Sequence, residues 1–159
     1  MTVIADTSPL NYLVLIGTIE VLPQLFGTVL IPREVLHELQ DPATPPGVLA
    51  AFREPPTWLH VVEIHAPSDA ADMSTLGAGE RAAIGLALED HDRALLLIDE
   101  IKGRRVAAQR GLKIMGTLGL LEAGASRGLL DLPSAIGRLQ ETNFHVAPTL
   151  LDALLKRHS

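Results

Sequence analysis

Apolar residues along this chain follow two rhythms. Short continuous runs bounded by charged or turn-forming residues predict strands: "TVIA" (2–5), "TVLI" (28–31), "LHVVEI" (59–64), "ALLLI" (94–98) and "KIM" (113–115). Between them, apolar positions three and four apart predict helices. Ser8-Pro9 reads as an N-cap followed by proline at the first helical position, with Gly17 ending that helix. A short helix is expected at about 18–26, and Pro32 opens another that runs to about Gln40. "DPATPPG" (41–47) and "EPP" (54–56) read as loops flanking a short helix. "GAGERAAIGLALED" (77–90) is a strong helix, "ALLLI" a strand buried on both faces, and a basic helix follows to Arg110. Helices near 117–126, 132–141 and 148–157 finish the chain. Strands alternating with helices predict an α/β fold in a single domain, 1–159. Its core would be a central, mostly parallel sheet of about five strands flanked by helices. No internal repeat or low-complexity linker interrupts the pattern.

Composition narrows this picture. With 159 residues and 47% hydrophobic content the chain can bury a sizeable core. Charged residues make up 20% with no long single-sign block, which argues against disorder. There is no cysteine, so disulfides and thiolate metal sites are excluded, and a reducing cytoplasm is the expected location. No leader pattern is expected at the N-terminus, and no apolar run approaches the roughly 18 residues of a membrane span. The net charge of −6 argues against a general nucleic-acid binder. Five of the 13 Lys and Arg nevertheless fall between Lys102 and Lys113, a local patch that can hold a polyanion if cations offset the acids.

The candidate chemistry lies in carboxylates. "VIAD-T" (3–7) and "LLID-E" (96–100) share one form, three apolar residues and then an aspartate at the strand's C-terminal end. Ligands of open parallel sheets bind outside those ends. If the two strands are neighbours, Asp6 and Asp99 repel each other unless a cation lies between them. The plainer reading of each is a helix N-cap. In "REVLHELQD" (33–41), Glu34, Glu38 and Asp41 form a stripe beside the apolar Val35, Leu36 and Leu39, which also suits a solvated face. Glu80 shares the small apolar face of Ala83, Ile84 and Ala87, and its place in the first turn also suits the helix dipole. Several carboxylates, no cysteine and no histidine pair at ligand spacing suit a hard cation, Mg²⁺ or Mn²⁺. Such an ion activates water and stabilises charge on phosphoryl oxygen, which points to phosphodiester hydrolysis. His37, His60, His65, His91, His145 and His158 make no metal motif and read as ordinary surface or loop residues.

The chain resembles the PIN-domain family, in particular its VapC-like, DUF3368-type branch. The stretches that carry the resemblance are "ADTSPL" (5–10), "IPREVLHEL" (31–39), "LGAGERAAIGLA" (76–87), "LLIDE" (96–100) and "RRVAAQRGLKIMGTLGLL" (104–121), in that order. The resemblance implies a PIN-like sheet whose strand order brings Asp6 and Asp99 together at its centre. It implies a Mg²⁺- or Mn²⁺-dependent ribonuclease, typically the toxin of a type II toxin–antitoxin pair. Asp6, Glu38, Glu80 and Asp99 match the metal-site acids, with Glu34 a rival to Glu38. Ser8 and Thr117 match polar positions beside the site, and Glu100 stands where a further acid is common. Its implied partners are an RNA substrate, a small antitoxin and a second copy of the chain, for which the apolar surplus of "TIEVLPQLF" (18–26) is a candidate contact.

The basic helix then has a role. Lys102, Arg104 and Arg105 would stand beside the metal and meet RNA phosphates, positioning the strand without reading its sequence. Aromatic content is only 3%, so base stacking on aromatic side chains is poorly supported. Two other functions compete. A non-catalytic PIN-like module would be free to lose an acid from the set. A receiver-like phosphoacceptor would normally have an acidic pair near its start and a lysine after a late strand; Asp6 has no acidic neighbour, and Lys113 stands at the start of its strand, not after it.

Overall fold

The computed structural model describes residues 1–64 and 73–158. The elements run β1 (Thr2–Ala5), α1 (Thr7–Leu15), α2 (Val21–Phe26), β2 (Val29–Pro32), α3 (Arg33–Leu39), α4 (Pro46–Phe52), β3 (Leu59–Val62), α5 (Ala78–Glu89), β4 (Ala94–Leu97), α6 (Ile101–Gln109), β5 (Lys113–Met115), α7 (Thr117–Ser126), α8 (Leu132–Gln140) and α9 (Pro148–Arg157). The five strands form one sheet in the order β3-β2-β1-β4-β5, and every pairing is parallel.

The sheet is buried on both faces, which is why its strands are continuous apolar runs. Successive side chains of a strand point to opposite faces. Val3 and Ala5 of β1, with Leu95 and Leu97 of β4, join the larger core, built with α1 to α4 and α7 to α9. Ile4, Leu96 and Ile98 point the other way, into the core under α5 and α6.

Strand order decides where chemistry can occur. The chain builds β1, β2 and β3 outward in one direction, then returns to lay β4 on the free edge of β1. The β1/β4 boundary is therefore the switch point, where crevices open at strand C-terminal ends. Register places Ala5 opposite Leu97, and the Asp6 N–H donates to Leu97 O at 2.9 Å, so Asp6 and Asp99 leave the same end of adjacent central strands. A receiver fold, with β1 between β2 and β3, has a different order.

Two expectations need local correction. Helix α1 begins at Thr7, so Ser8 lies in its first turn and is not its N-cap. Pro9 is tolerated there because the first helical N–H groups lack partners in any case. Strand β3 ends at Val62, two residues early, and Glu63 instead pairs with Arg33 at 3.0 Å. In α2, Val21 and Leu22 are buried, and Leu25 and Phe26 are partly buried against the same core. His65 lies outside the described residues.

Candidate active site

Asp6 occupies the N-cap position of α1 with extended backbone, yet its side chain makes no cap hydrogen bond. Where the chain needs a capping aspartate, Asp131 serves, accepting from the Ser134 N–H at 3.0 Å. Asp6 is instead buried, 4% exposed, and its Oδ1 has no hydrogen-bond partner. Burial pushes its carboxyl up to about 7 from 3.8; the Thr7 backbone amide pulls the other way, and the charges of Glu80, Glu38 and Asp99 add to the rise. A buried acceptor left unpaired costs about 1–3 kcal/mol, so helix capping does not explain this residue.

Glu80 repeats the pattern. It stands in the first turn of α5, and its Oε2 is buried without a partner. Burial raises its pKa, the Gly77 backbone opposes, Glu100 and Glu38 add to the rise, and Lys102 lowers it. Two glycines make room for these acids. A Cβ on Gly103 of α6 would come within 2.7 Å of Glu80 Oε2 and of Ile98 Cδ1, and a Cβ on Gly79 would overlap the Glu38 carboxylate. Glu38, near the end of α3, is exposed and accepts from the Thr7 hydroxyl at 2.5 Å.

Asp99 is held differently. Its Oδ1 accepts the Thr117 N–H at 2.7 Å, and its Oδ2 accepts the Thr117 hydroxyl at 2.7 Å and the Ser8 hydroxyl at 2.9 Å. It thus caps α7, not the helix that follows it, because α6 takes Glu100 as its N-cap residue. Thr117 is fully buried, so Asp99 is fixed on both oxygens by groups from α1 and α7.

Asp6, Glu38, Glu80 and Glu100 line a single cleft of about 330 Å³ with Ser8 and Tyr12. Asp99 faces the adjoining cleft, which shares Ser8, Tyr12 and Glu100 as a common wall. No three acids among the described residues stand in a ready-made metal cage. The Thr7 hydroxyl donates to Glu38, and the hydroxyls of Ser8 and Thr117 donate to Asp99, so each carboxylate is tied to its own part of the wall.

A family model described as DUF3368, PIN domain, matches residues 2–159. The chain belongs to the PIN-domain family. No curated protein and no solved structure matches it. PIN domains are generally nucleases and typically use divalent metal ions.

The other expected residues of this PIN domain are placed as follows. Glu34 lines neither of these two clefts, so among the α3 acids only Glu38 reaches the site. Lys102 and Arg105 are exposed, and Lys102 is near enough for its charge to act on Glu80. Arg104 departs from the expectation of a free phosphate ligand. It is half-buried, donates to Ile98 O at 2.8 Å and lies with Asp99 over Gly116, where a Cβ would meet both at under 3 Å. Thr7, Tyr12, Asn143, Phe144, Gly79 and Gly103 escaped the sequence reading. Only the glycines carried a signal, small residues beside the acid and basic motifs. No helix among the described residues is long and apolar enough to cross a membrane.

The donors fit a hard dication. All are carboxylate or hydroxyl oxygens, and two buried carboxylate oxygens lack any partner. Mg²⁺ keeps several waters and needs only one or two carboxylates, so the absence of a closed cage is no obstacle.

Proposed function

We propose that this PIN domain is a Mg²⁺- or Mn²⁺-dependent endoribonuclease that hydrolyses RNA phosphodiesters, acting as the toxin of a type II, VapBC-like toxin–antitoxin pair in the cytoplasm. The observation that carries the reading is the pair of buried, unpartnered oxygens, Asp6 Oδ1 and Glu80 Oε2. Two such groups beside one cleft cost stability unless a ligand satisfies them. Asp6, Glu38, Glu80 and Asp99 would hold the ion. Bound there, it supplies a more acidic water and stabilises charge on a phosphoryl oxygen. Ser8 and Thr117 position Asp99, and Thr7 positions Glu38. Lys102 and Arg105, exposed on α6, meet the RNA backbone. A homodimer and a small cognate antitoxin complete the assembly.

The test is cleavage of end-labelled RNA with Mn²⁺, with Mg²⁺ and with chelator, alongside a thermal-shift measurement in each. Wild type should cleave only with metal and melt higher with it, because a ligand of the folded state alone stabilises that state. Asp6→Asn should lose both responses. Absence of both in wild type overturns the metal-nuclease reading and leaves a binding module. The toxin assignment fails if expression does not arrest growth, and the dimer fails if light scattering gives a monomer at micromolar concentration.

A further inference from the structure

A groove leads away from the acid cleft. The cleft of Asp6, Glu38 and Glu80 shares Ser8, Tyr12 and Glu100 with its neighbour. That neighbour shares Asp99, Ile101, Phe144 and His145 with a third and larger pocket of about 430 Å³. The walls of this third pocket are Ile101, Ile114, Met115, Leu118, Phe144 and Leu150, with Arg104 and His145 among them. A cleft lined by carboxylates thus neighbours a pocket lined mainly by aliphatic and aromatic residues, and Asp99 belongs to the walls of the second and third.

The surface is built as well as apolar. Phe144 packs edge-on against Tyr12, with ring centroids 4.9 Å apart at 81°. The Tyr12 hydroxyl donates to Asn143 Oδ1 at 2.6 Å, tying the segment between α8 and α9 to α1 at the edge of the acid cleft. Ile101 and Leu150, both lining the pocket, are two of the four large hydrophobic side chains left exposed among the described residues, at 70% and 50%. Two of the five aromatic residues, one Trp, one Tyr and three Phe in all, meet at this spot, so the low overall content understated what the groove offers.

We infer that this pocket is the subsite for an unpaired nucleobase next to the scissile phosphate, so that the enzyme engages single-stranded RNA one base at a time beside its acids. The inference rests on the nuclease reading above. A base tied to the scissile phosphate can rest only on a platform within about one nucleotide of the phosphate site, and apolar and aromatic side chains suit its faces. This pocket shares the Asp99 wall with that site. Stacking on an aromatic platform is tolerant of base identity. Arg104 retains N–H donors beyond the one given to Ile98 O, and a guanidinium donates to acceptor edges of bases. The pocket's size is that of ordinary small-ligand sites.

The experiment uses Asp6→Asn protein in Mg²⁺, so that cleavage does not intrude, and measures anisotropy of a labelled eight-nucleotide RNA. A single abasic nucleotide is walked along the RNA. Affinity should fall about tenfold at one position and little elsewhere, within the range of one stacked base. Ile101→Ala, a change at an exposed site that folding does not need, and Phe144→Leu should each weaken intact RNA several-fold. Both should leave the RNA abasic at that position unaffected. A flat abasic scan, or variants that weaken intact and abasic RNA equally, overturns the subsite. Unchanged RNA affinity in Ile101→Ala with altered self-association or protein binding also overturns it, and assigns the surface to a protein partner. Wild-type cleavage in Mn²⁺ is scored separately. Cleavage with a flat scan rejects the subsite alone, a base-dependent scan without cleavage rejects the nuclease alone, and no RNA binding rejects both.

Discussion

Replacing Asp6 with asparagine keeps the side chain's shape and removes its charge. The carboxyl is held near 7 in the folded protein against 3.8 for an ordinary aspartate, chiefly by burial. An acid whose folded pKa is raised favours the folded state least at high pH. Below 3.8 both states are protonated and nothing is lost. As pH climbs toward 7 the unfolded chain ionises while the folded chain cannot, and above 7 the cost is constant. The full cost is about 4 kcal/mol, at about 1.4 kcal/mol per pH decade. Between pH 4.5 and 8 about 3 kcal/mol of it develops. Asparagine carries no such dependence. It exposes its own unpaired amide to the same pocket, so its absolute stability is a poor readout, and the change of the mutant-minus-wild-type difference with pH is the quantity to measure. Urea melts in chelator at pH 4.5 and at pH 8 should show that difference shifting by about 3 kcal/mol in favour of Asp6→Asn. Adding Mn²⁺ at pH 8 should recover wild type and not the mutant. Parallel loss of stability in the two proteins would show that Asp6 ionises freely when folded, and would refute the strained-carboxylate account.

Gly79→Ala should keep or slightly raise metal-free stability, because alanine is the better helix former by up to about 1 kcal/mol. Its Cβ displaces the Glu38 carboxylate, so the Mn²⁺-induced rise in melting temperature should shrink. Thr117→Val removes the buried hydroxyl that donates to Asp99, and should cost about 1.5–3 kcal/mol in a urea melt at pH 7, the range for a bond to a charged group. Lys102→Ala with Arg105→Ala should weaken RNA binding and lower the slope of log affinity against log salt by about 0.7 for each phosphate that is no longer neutralised, with the metal response intact. This pair is a cleaner probe than any that includes Arg104, whose bond to Ile98 O ties it to the fold.

The amino-acid pattern alone determined the alternation of strands and helices, the two aspartates at strand ends and the acids on α3 and α5. The reason is that buried parallel strands must be continuous apolar runs, and a charge that ends such a run is conspicuous. Local sequence also set most helix boundaries. It misread Ser8 because Ser-Pro is a strong capping signal, while in the fold Asp6 takes the N-cap position and the Ser8 hydroxyl turns to Asp99. What only tertiary structure decided was which groups meet. The return of β4 to the free edge of β1 set Asp6 beside Asp99. The packing of α3 against α5 brought the Glu38 carboxylate against Gly79 and left Glu34 outside both clefts. The same long-range packing made Asp99 the cap of a helix 18 residues away, took Arg104 out of the free basic patch, and joined Tyr12 to Phe144 from opposite ends of the chain. None of these pairings leaves a local trace in sequence, since each depends on contacts between segments whose own patterns specify only a helix or a strand.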